Sequence, residues 1–558
     1  MPQAASWAGT PTVRGSTESM RMALLTFSLI GLQITWGIEM TYCTPYLLQL
    51  GLTKSRTSLV WIAGPLSGLI MQPIVGVIAD RSRSKWGRRR PFMIGGSIIV
   101  AACLLVLGWT ADIVGLFTSK PDTARSCTIA LAVLSIYAVD FAINAVQSSS
   151  RSLIVDTLPI SKQQLGSAWA SRMIGIGHLV GYAAGTVDLL KIFGTTLGDS
   201  QFKQLTVIAT AALLAAVGIT SYAVEERVLI STRDSDAKSG AVRMVAHILK
   251  TTLHLPNRIQ AICWIQFWSW IGWFPFLFYS ATWVGETYFR YDATKTAQES
   301  SDALGDIGRI GSLSLVVFSV VTLVSSVLLP WIVESPEDEK PGFTPRPPPS
   351  IAPLVNTINK YKPDLLTAWT FSHFVFAGAM MLAPFVRSVR FATILVSICG
   401  IPWALACWAP FAFIGIEINR LTAPTTILAN GSSYRRLSTD SADSAPPSPS
   451  LLRLHHLDID DPSAPAPSSA TGETAGIYLG ILNLFTTLPQ FVGTFISMIV
   501  FSVLEPGKSP ELAGEGAPTG EAEAEVRKGP NAIAVCLFIG AVSAVGAAYA
   551  TRRLKFVR

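Results

Sequence analysis

From Thr57 to Ala79 the chain carries no charged residue, and then Asp80, Arg81, Arg83, Lys85, Arg88, Arg89 and Arg90 follow within eleven positions. Coiled at about 1.5 Å per residue, the uncharged run is long enough to cross a hydrocarbon layer of about 30 Å. Short loops dense in Arg and Lys stay on the cytoplasmic side of a membrane. The segment is therefore expected to enter from outside and end inside, which commits the chain to a bilayer and orients it.

The rest of the chain repeats the pattern. Of its 558 residues 50% are hydrophobic and only 14% charged, a balance that fits a polytopic membrane protein and not a soluble one. The net charge of +7 comes from basic residues in loops, as topology alone requires, so no nucleic-acid partner is expected. Membrane-length apolar runs predict twelve segments: 22–48, 57–79, 91–111, 128–150, 166–187, 204–224, 259–282, 310–333, 365–386, 391–416, 475–502 and 530–551. Nine contain no charge; Glu39, Asp140 and Arg172 lie in the first, fourth and fifth.

An even number of spans places both termini in the cytoplasm, where Arg552, Arg553, Lys555 and Arg558 follow the last helix, while the stretch from Glu505 to Glu525 is acidic and expected outside. The first twenty residues are polar, so no cleaved signal peptide is expected and the first helix serves as the insertion signal. The polar stretch from Glu225 to Asn257 divides the chain into two six-helix bundles, 22–224 and 259–551, joined by a cytoplasmic loop 225–258 and flanked by tails 1–21 and 552–558. Such a plan is typical of carriers whose halves rock about a central site. Loops 334–364 and 418–474, rich in Pro and Ser, read as disordered and cytoplasmic. In the second, Arg435-Arg436-Leu437-Ser438 is either a kinase site or an unmodified serine of a solvated loop. The seven cysteines are scattered without metal-ligand spacing; Cys43 and Cys127, both expected near the outer face, form a disulfide or remain free thiols.

An ionisable side chain inside a membrane helix costs several kcal/mol unless paired or hydrated, so it points to function. Asp140, Asn144, Gln147 and Arg151 follow one another at spacings of four, three and four, which makes one face of the fourth segment polar. Asp140 reads either as a proton and ligand site or as half of a buried ion pair with Arg151 or Arg172. Glu39, with Thr35 and Tyr42 beside it, reads as a second proton site or a hydroxyl acceptor near an aqueous edge. His178, among glycines, is a titrating group or a packed one. The seventh segment places Trp264, Phe267, Trp268, Trp270, Trp273, Phe274, Phe276, Phe278 and Tyr279 within sixteen positions. Trp stacks on the C–H face of a sugar while amides and carboxylates bind its hydroxyls, so one or two of these facing Asp140 and Asn144, with Trp268 and Trp273 the candidates, suit a carbohydrate. Asn483, Pro489 and Gln490 add an amide site and a break in the eleventh segment. No phosphate-binding loop, metal-ligand cluster or nucleophile with a neighbouring base is present, so no enzyme, metal or cofactor is expected, and any driving energy comes from an ion gradient.

The segment GVIADRSRSKWGRRR resembles the loop between the second and third helices of major facilitator carriers, and its longer form resembles the proton-coupled sucrose transporters of plants, fungi and animals. TPYLLQLGL, WIAGPLSGLIMQP, GHLVGYAAG, WFPFLF, GIPWA and LGILNLFTTLPQ carry the same resemblance through both halves. It implies the twelve-helix major facilitator fold, all-α and membrane-embedded. It also implies a cytoplasmic gate built on Gly76, Asp80, Arg81, Gly87, Arg88, Arg89 and Arg90, and Asp140 as the proton-coupling, sugar-contacting acid. Ser280, Ala281 and Thr282 stand where plant members carry acids, and Glu39 is similar to the animal branch. The reading that follows is a monomeric symporter of protons with a disaccharide, sucrose or maltose, in the plasma membrane or an endomembrane. Glu39, Asp140, Asn144, Gln147, Trp268, Trp273 and Asn483 would contact sugar, and Arg151 or Arg172 would balance charge. A carrier of monosaccharides or polyols and a non-transporting sugar sensor are the alternatives.

Overall fold

The computed structural model describes residues 6–80, 82–159, 162–231, 252–253, 255–293, 303–334, 362–434, 470–505 and 531–557. The chain opens with two short strands, β1 Ser6–Ala8 and β2 Thr12–Val13, and then becomes helical. The N-terminal bundle comprises α1 Glu18–Thr26, α2 Ser28–Ile38, α3 Thr44–Gln49, α4 Lys54–Val60, α5 Ala63–Asp80, α6 Arg90–Gly108, α7 Pro121–Thr157, α8 Gln163–Thr186 and α9 Gln201–Ala223. Strands β3 Val224–Glu225 and β4 Val228–Ser231 follow it and pair antiparallel with β2 and β1. The C-terminal bundle comprises α10 Asn257–Thr287, α11 Ala303–Ile332, α12 Leu365–Met381, α13 Val389–Ile398, α14 Gly400–Tyr434, α15 Ala470–Leu504 and α16 Ala532–Arg553.

Local chemistry sets several of these starts. Thr53, Ser200 and Asn531 each accept the backbone N–H three residues on, and Pro121 opens α7 where its missing donor costs nothing. Among the described residues ten helices are long and apolar enough to cross a membrane, eleven if the bent pair Glu18–Thr26 and Ser28–Gln49 counts as one span. The expected fifth segment is present as α8, a full-length helix that Arg172, His178 and its polar residues leave less apolar than the rest.

One expectation needs correction and one element is new. In the N-terminal tail β1 and β2 clamp the start of the inter-bundle loop. The tenth helix does not stop near 418: α14 continues to Tyr434 and α15 already begins at Ala470. Extending an existing helix costs far less than nucleating one. Ser438, with the remainder of that loop and most of 334–364, lies outside the described residues.

The two bundles meet along α8 against α11, α4 and α5 against α15, and the end of the first span against α10 and α11. Inside the N-terminal bundle α2 and α8 approach at backbone distance. A Cβ on Gly177 would lie 2.7 Å from the Ile30 carbonyl oxygen, and one on Gly181 3.0 Å from the Ile34 Cα. Glycines here let α8 close on α2, whose end leads into the turn that meets the C-terminal bundle.

Candidate functional site

Glu39 begins a single turn of π-helix, Glu39–Cys43, that separates α2 from α3. An extra residue in a helical turn re-aims the side chains around it, and such turns cluster at functional sites. Tyr42, on the same turn, donates from its hydroxyl to the Gly185 carbonyl at 2.6 Å and fixes the turn against α8. Glu39 is buried with only 4% of its surface exposed, and among the described residues neither carboxylate oxygen has a hydrogen-bond partner. The expected aqueous edge is absent: the residue is sealed inside the bundle.

Asp140, on α7, is 2% exposed and its Oδ2 likewise has no partner. The two carboxylates are close enough to interact electrostatically. Four residues on, Asn144 donates through Nδ2 to the Ser67 hydroxyl at 2.8 Å and to the Asp140 carbonyl at 3.0 Å. Ser67 belongs to α5, and one turn further along that helix Gln72 accepts from Asn483 Nδ2 of α15 at 3.2 Å. A chain of short polar side chains thus leads from the buried acids of the N-terminal bundle to an exposed amide of the C-terminal one. Sequence reasoning missed Ser67 and Gln72; their signal was the polar pair within the glycine-rich uncharged run.

The other candidates fall elsewhere. Gln147 is half-buried on α7, one turn beyond Asn144. Among the described residues neither arginine pairs with Asp140. Arg151 stands three turns further along the same helix, about 16 Å away, exposed and near Cys407 of α14. Arg172 is exposed and lies over the Trp169 ring of its own helix, 5.2 Å from the centroid. The tryptophans are displaced as well. Trp273 is 2% exposed, packed among Phe276, Phe376 and Trp403 in the core of the C-terminal bundle. Trp268 is 44% exposed beside Gly546 of α16. Phe278 of the seventh segment does meet the N-terminal bundle, 4.7 Å from Trp61 ring to ring. His178 is half-buried and stacks on Tyr182 at 5.7 Å. Cys43, buried, and Cys127, exposed, are free thiols and form no disulfide. Among the described residues no group of His, Cys, Asp and Glu is arranged to hold a metal.

A family model described as MFS/sugar transport protein matches residues 26–298. The general alpha-glucoside permease of Schizosaccharomyces pombe is 31% identical, over 97% of this chain and 94% of that protein. The chain belongs to this sugar-transport family of the major facilitator superfamily. A sucrose transport protein of Arabidopsis thaliana is 27% identical over 73% of the chain and 79% of its own length. Among solved structures, a bacterial homologue of the human lysosomal transporter Spinster superposes with a TM-score of 0.55 at 14% identity, over 98% of this chain and 99% of that one. A D-xylose-proton symporter superposes at 0.51 and 13%, over 95% and 97%. The carrier is thus an integral, multi-pass transporter of the major facilitator fold.

Two charged clusters sit at opposite ends of the carrier. Beyond the end of α5, the loop 82–89 is held to its own bundle: Arg88 and Arg89 pair with Asp156 of α7 at 2.7 and 2.8 Å. The backbone N–H groups of Arg88, Arg89 and Arg90 donate to the Glu226 carboxylate at 2.9, 2.9 and 2.8 Å. Gly87 turns the chain into this cradle at φ +101, and a Cβ there would press on Glu226. Gly76 leaves open space on α5, whereas the side chain of Asp80 and the whole of Arg81 lie outside the described residues. At the far end, Lys54 of α4 reaches Glu286 at 2.6 Å and Glu505 at 2.5 Å, both in the C-terminal bundle. Arg290 pairs with Glu505 at 3.0 Å, Asn531 donates to Glu286 at 2.9 Å, and Arg309 approaches Asp188 at 3.7 Å. These groups tie the halves together at that end.

Proposed function

We propose that the carrier is a proton-coupled symporter that imports a disaccharide, sucrose or maltose, by alternating access between its bundles. The observation that carries the reading is Asp140: a carboxylate sealed inside the N-terminal bundle, near Glu39, with an oxygen that no described residue satisfies. A buried charge without a partner is costly. A proton on that oxygen, which then donates to a sugar hydroxyl, supplies what is missing. Asn144, Ser67, Gln72 and Asn483 continue the site as neutral donors and acceptors, the chemistry that hydroxyl-rich substrates need. The permease and the sucrose transport protein named above support the substrate class.

The positive-inside rule places the loop 81–89 and both termini in the cytoplasm, and the Lys54 cluster then closes the outer face. The chain acts as a monomer in the plasma membrane. In reconstituted vesicles, sucrose or maltose added outside should drive proton uptake, and Asp140→Asn should abolish accumulation against a gradient while leaving counterflow of labelled sugar measurable. Normal accumulation with proton influx intact in Asp140→Asn would exclude the assignment. Competition by monosaccharides or polyols in preference to disaccharides would move the substrate class, and binding without flux would indicate a sensor.

A further inference from the structure

A groove of about 510 Å³ runs between α6 and α9 beside the loop 82–89. Both helices pack within the N-terminal bundle. The floor is apolar: Ile98 on α6 is 57% exposed and Leu214 on α9 39%. Gly218 keeps it open, since a Cβ there would meet no atom within 4 Å. The rim at the loop end is made by Lys85, Trp86, Arg90 and Tyr222.

The rim is cationic and aromatic. Lys85 is exposed and forms no ion pair among the described residues. Arg90 donates through Nη1 to the Ser221 carbonyl at 3.0 Å, while its buried Nε makes no hydrogen bond and lies 3.7 Å from Glu226. Glu226 is already engaged by three backbone N–H groups, so it only partly offsets Arg90. Arg14, 4.2 Å above the Tyr222 ring, is already paired with Glu225 at 3.4 Å, which leaves Lys85 and Arg90 as the cations of the rim. Trp86 and Tyr222, 65% and 72% exposed, are the side chains that settle at the boundary of headgroup and hydrocarbon.

An apolar slot that opens into a basic, aromatic rim at the end of two membrane helices matches one amphiphile. We infer that this groove binds an anionic phospholipid, with its phosphate headgroup at Lys85 and Arg90 and an acyl chain along Ile98 and Leu214. A free phosphate would use the rim and be indifferent to the floor; a zwitterionic lipid would gain little from Lys85.

The test titrates the purified full-length carrier in detergent with phosphatidylserine or phosphatidylcholine and counts bound lipid by native mass spectrometry. Each basic residue near a headgroup contributes enough to make Lys85→Ala weaken phosphatidylserine about fivefold and Lys85→Glu about thirtyfold, with phosphatidylcholine unchanged. Gly218→Leu, which fills the floor and keeps every charge, should weaken phosphatidylserine as well. Size-exclusion profiles show that each variant is folded. Equal phosphatidylserine affinity in wild type, Lys85→Glu and Gly218→Leu would overturn the site. So would a loss confined to Lys85→Glu together with displacement by inorganic phosphate, which would mark a simple anion site.

Discussion

The proposed symport turns on Glu39 and Asp140, and the sequence exposed both because charges are rare inside membrane helices. What it did not expose was their company. Periodicity shows which residues share a face of one helix, so Asp140, Asn144 and Gln147 were legible together. It says nothing of which neighbour that face meets, so Ser67, Gln72 and the π turn at Glu39 were not. The same blindness misassigned Arg151, three turns too far along, and Trp273, whose ring closes the core of its own bundle. If Glu39 accepts a sugar hydroxyl, Glu39→Gln replaces a charged acceptor by a neutral one. Charge-assisted hydrogen bonds are worth about 1.5–3 kcal/mol against about 1 for neutral ones, so sugar binding should weaken about tenfold. The check is sugar affinity by isothermal calorimetry on the purified carrier, and an unchanged affinity would remove Glu39 from the binding site.

At the scale of elements, the helices were legible because a bilayer demands long uncharged runs, and their ends were less so. The strands were invisible: β1 and β2 are too short to show alternation, and their partners lie past the last helix of the bundle. The start of α6 shows what this pairing positions. A helix N-terminus leaves N–H groups unsatisfied and carries partial positive charge, and here Glu226, delivered just after β3, takes the N–H groups of Arg89 and Arg90 together with that of Arg88 just before them. The sequence reads Glu226 as one more polar residue of a linker. Glu226→Ala returns the donors to water or leaves them unmet, a cost of about 1–3 kcal/mol. Thermal unfolding of the purified protein should therefore show a lowered Tm, whereas Glu225→Ala, whose partner Arg14 is an exposed ion pair at 3.4 Å, should leave it near the wild-type value.

For the whole molecule, the decisive asymmetry is that one end is bolted across the bundles while the loop 82–89 at the other is fastened to its own half. Lys54 and Glu505 stood in the sequence as ordinary boundary charges, with nothing to say that they meet, although they form the bolt. Burial raises the Glu505 carboxyl, but Lys54, Arg290 and the Ala532 N–H outweigh it and hold its pKa below the ordinary value of 4.5. A depressed folded-state pKa means that the contribution is fully present above that ordinary value and is lost only as pH falls through the lower one. The far end should therefore stay shut from neutral pH down to about 4.5, and Glu505→Gln should loosen it even at neutral pH. Beside the bolt, the hydroxyls of Ser55 on α4 and Ser502 on α15 are 2.6 Å apart, close enough for two cysteines to join. Ser55→Cys with Ser502→Cys should cross-link under oxidation and stop transport, and reduction should restore it, because alternating access requires these two helices to part. Accessibility of the single Ser55→Cys to a membrane-impermeant maleimide then reports the bolt itself: low in wild type at pH 7 and at pH 5, and raised at both in Glu505→Gln. Full transport by the cross-linked carrier would mean that this interface never opens, and rocking about the Asp140 site would have to be abandoned.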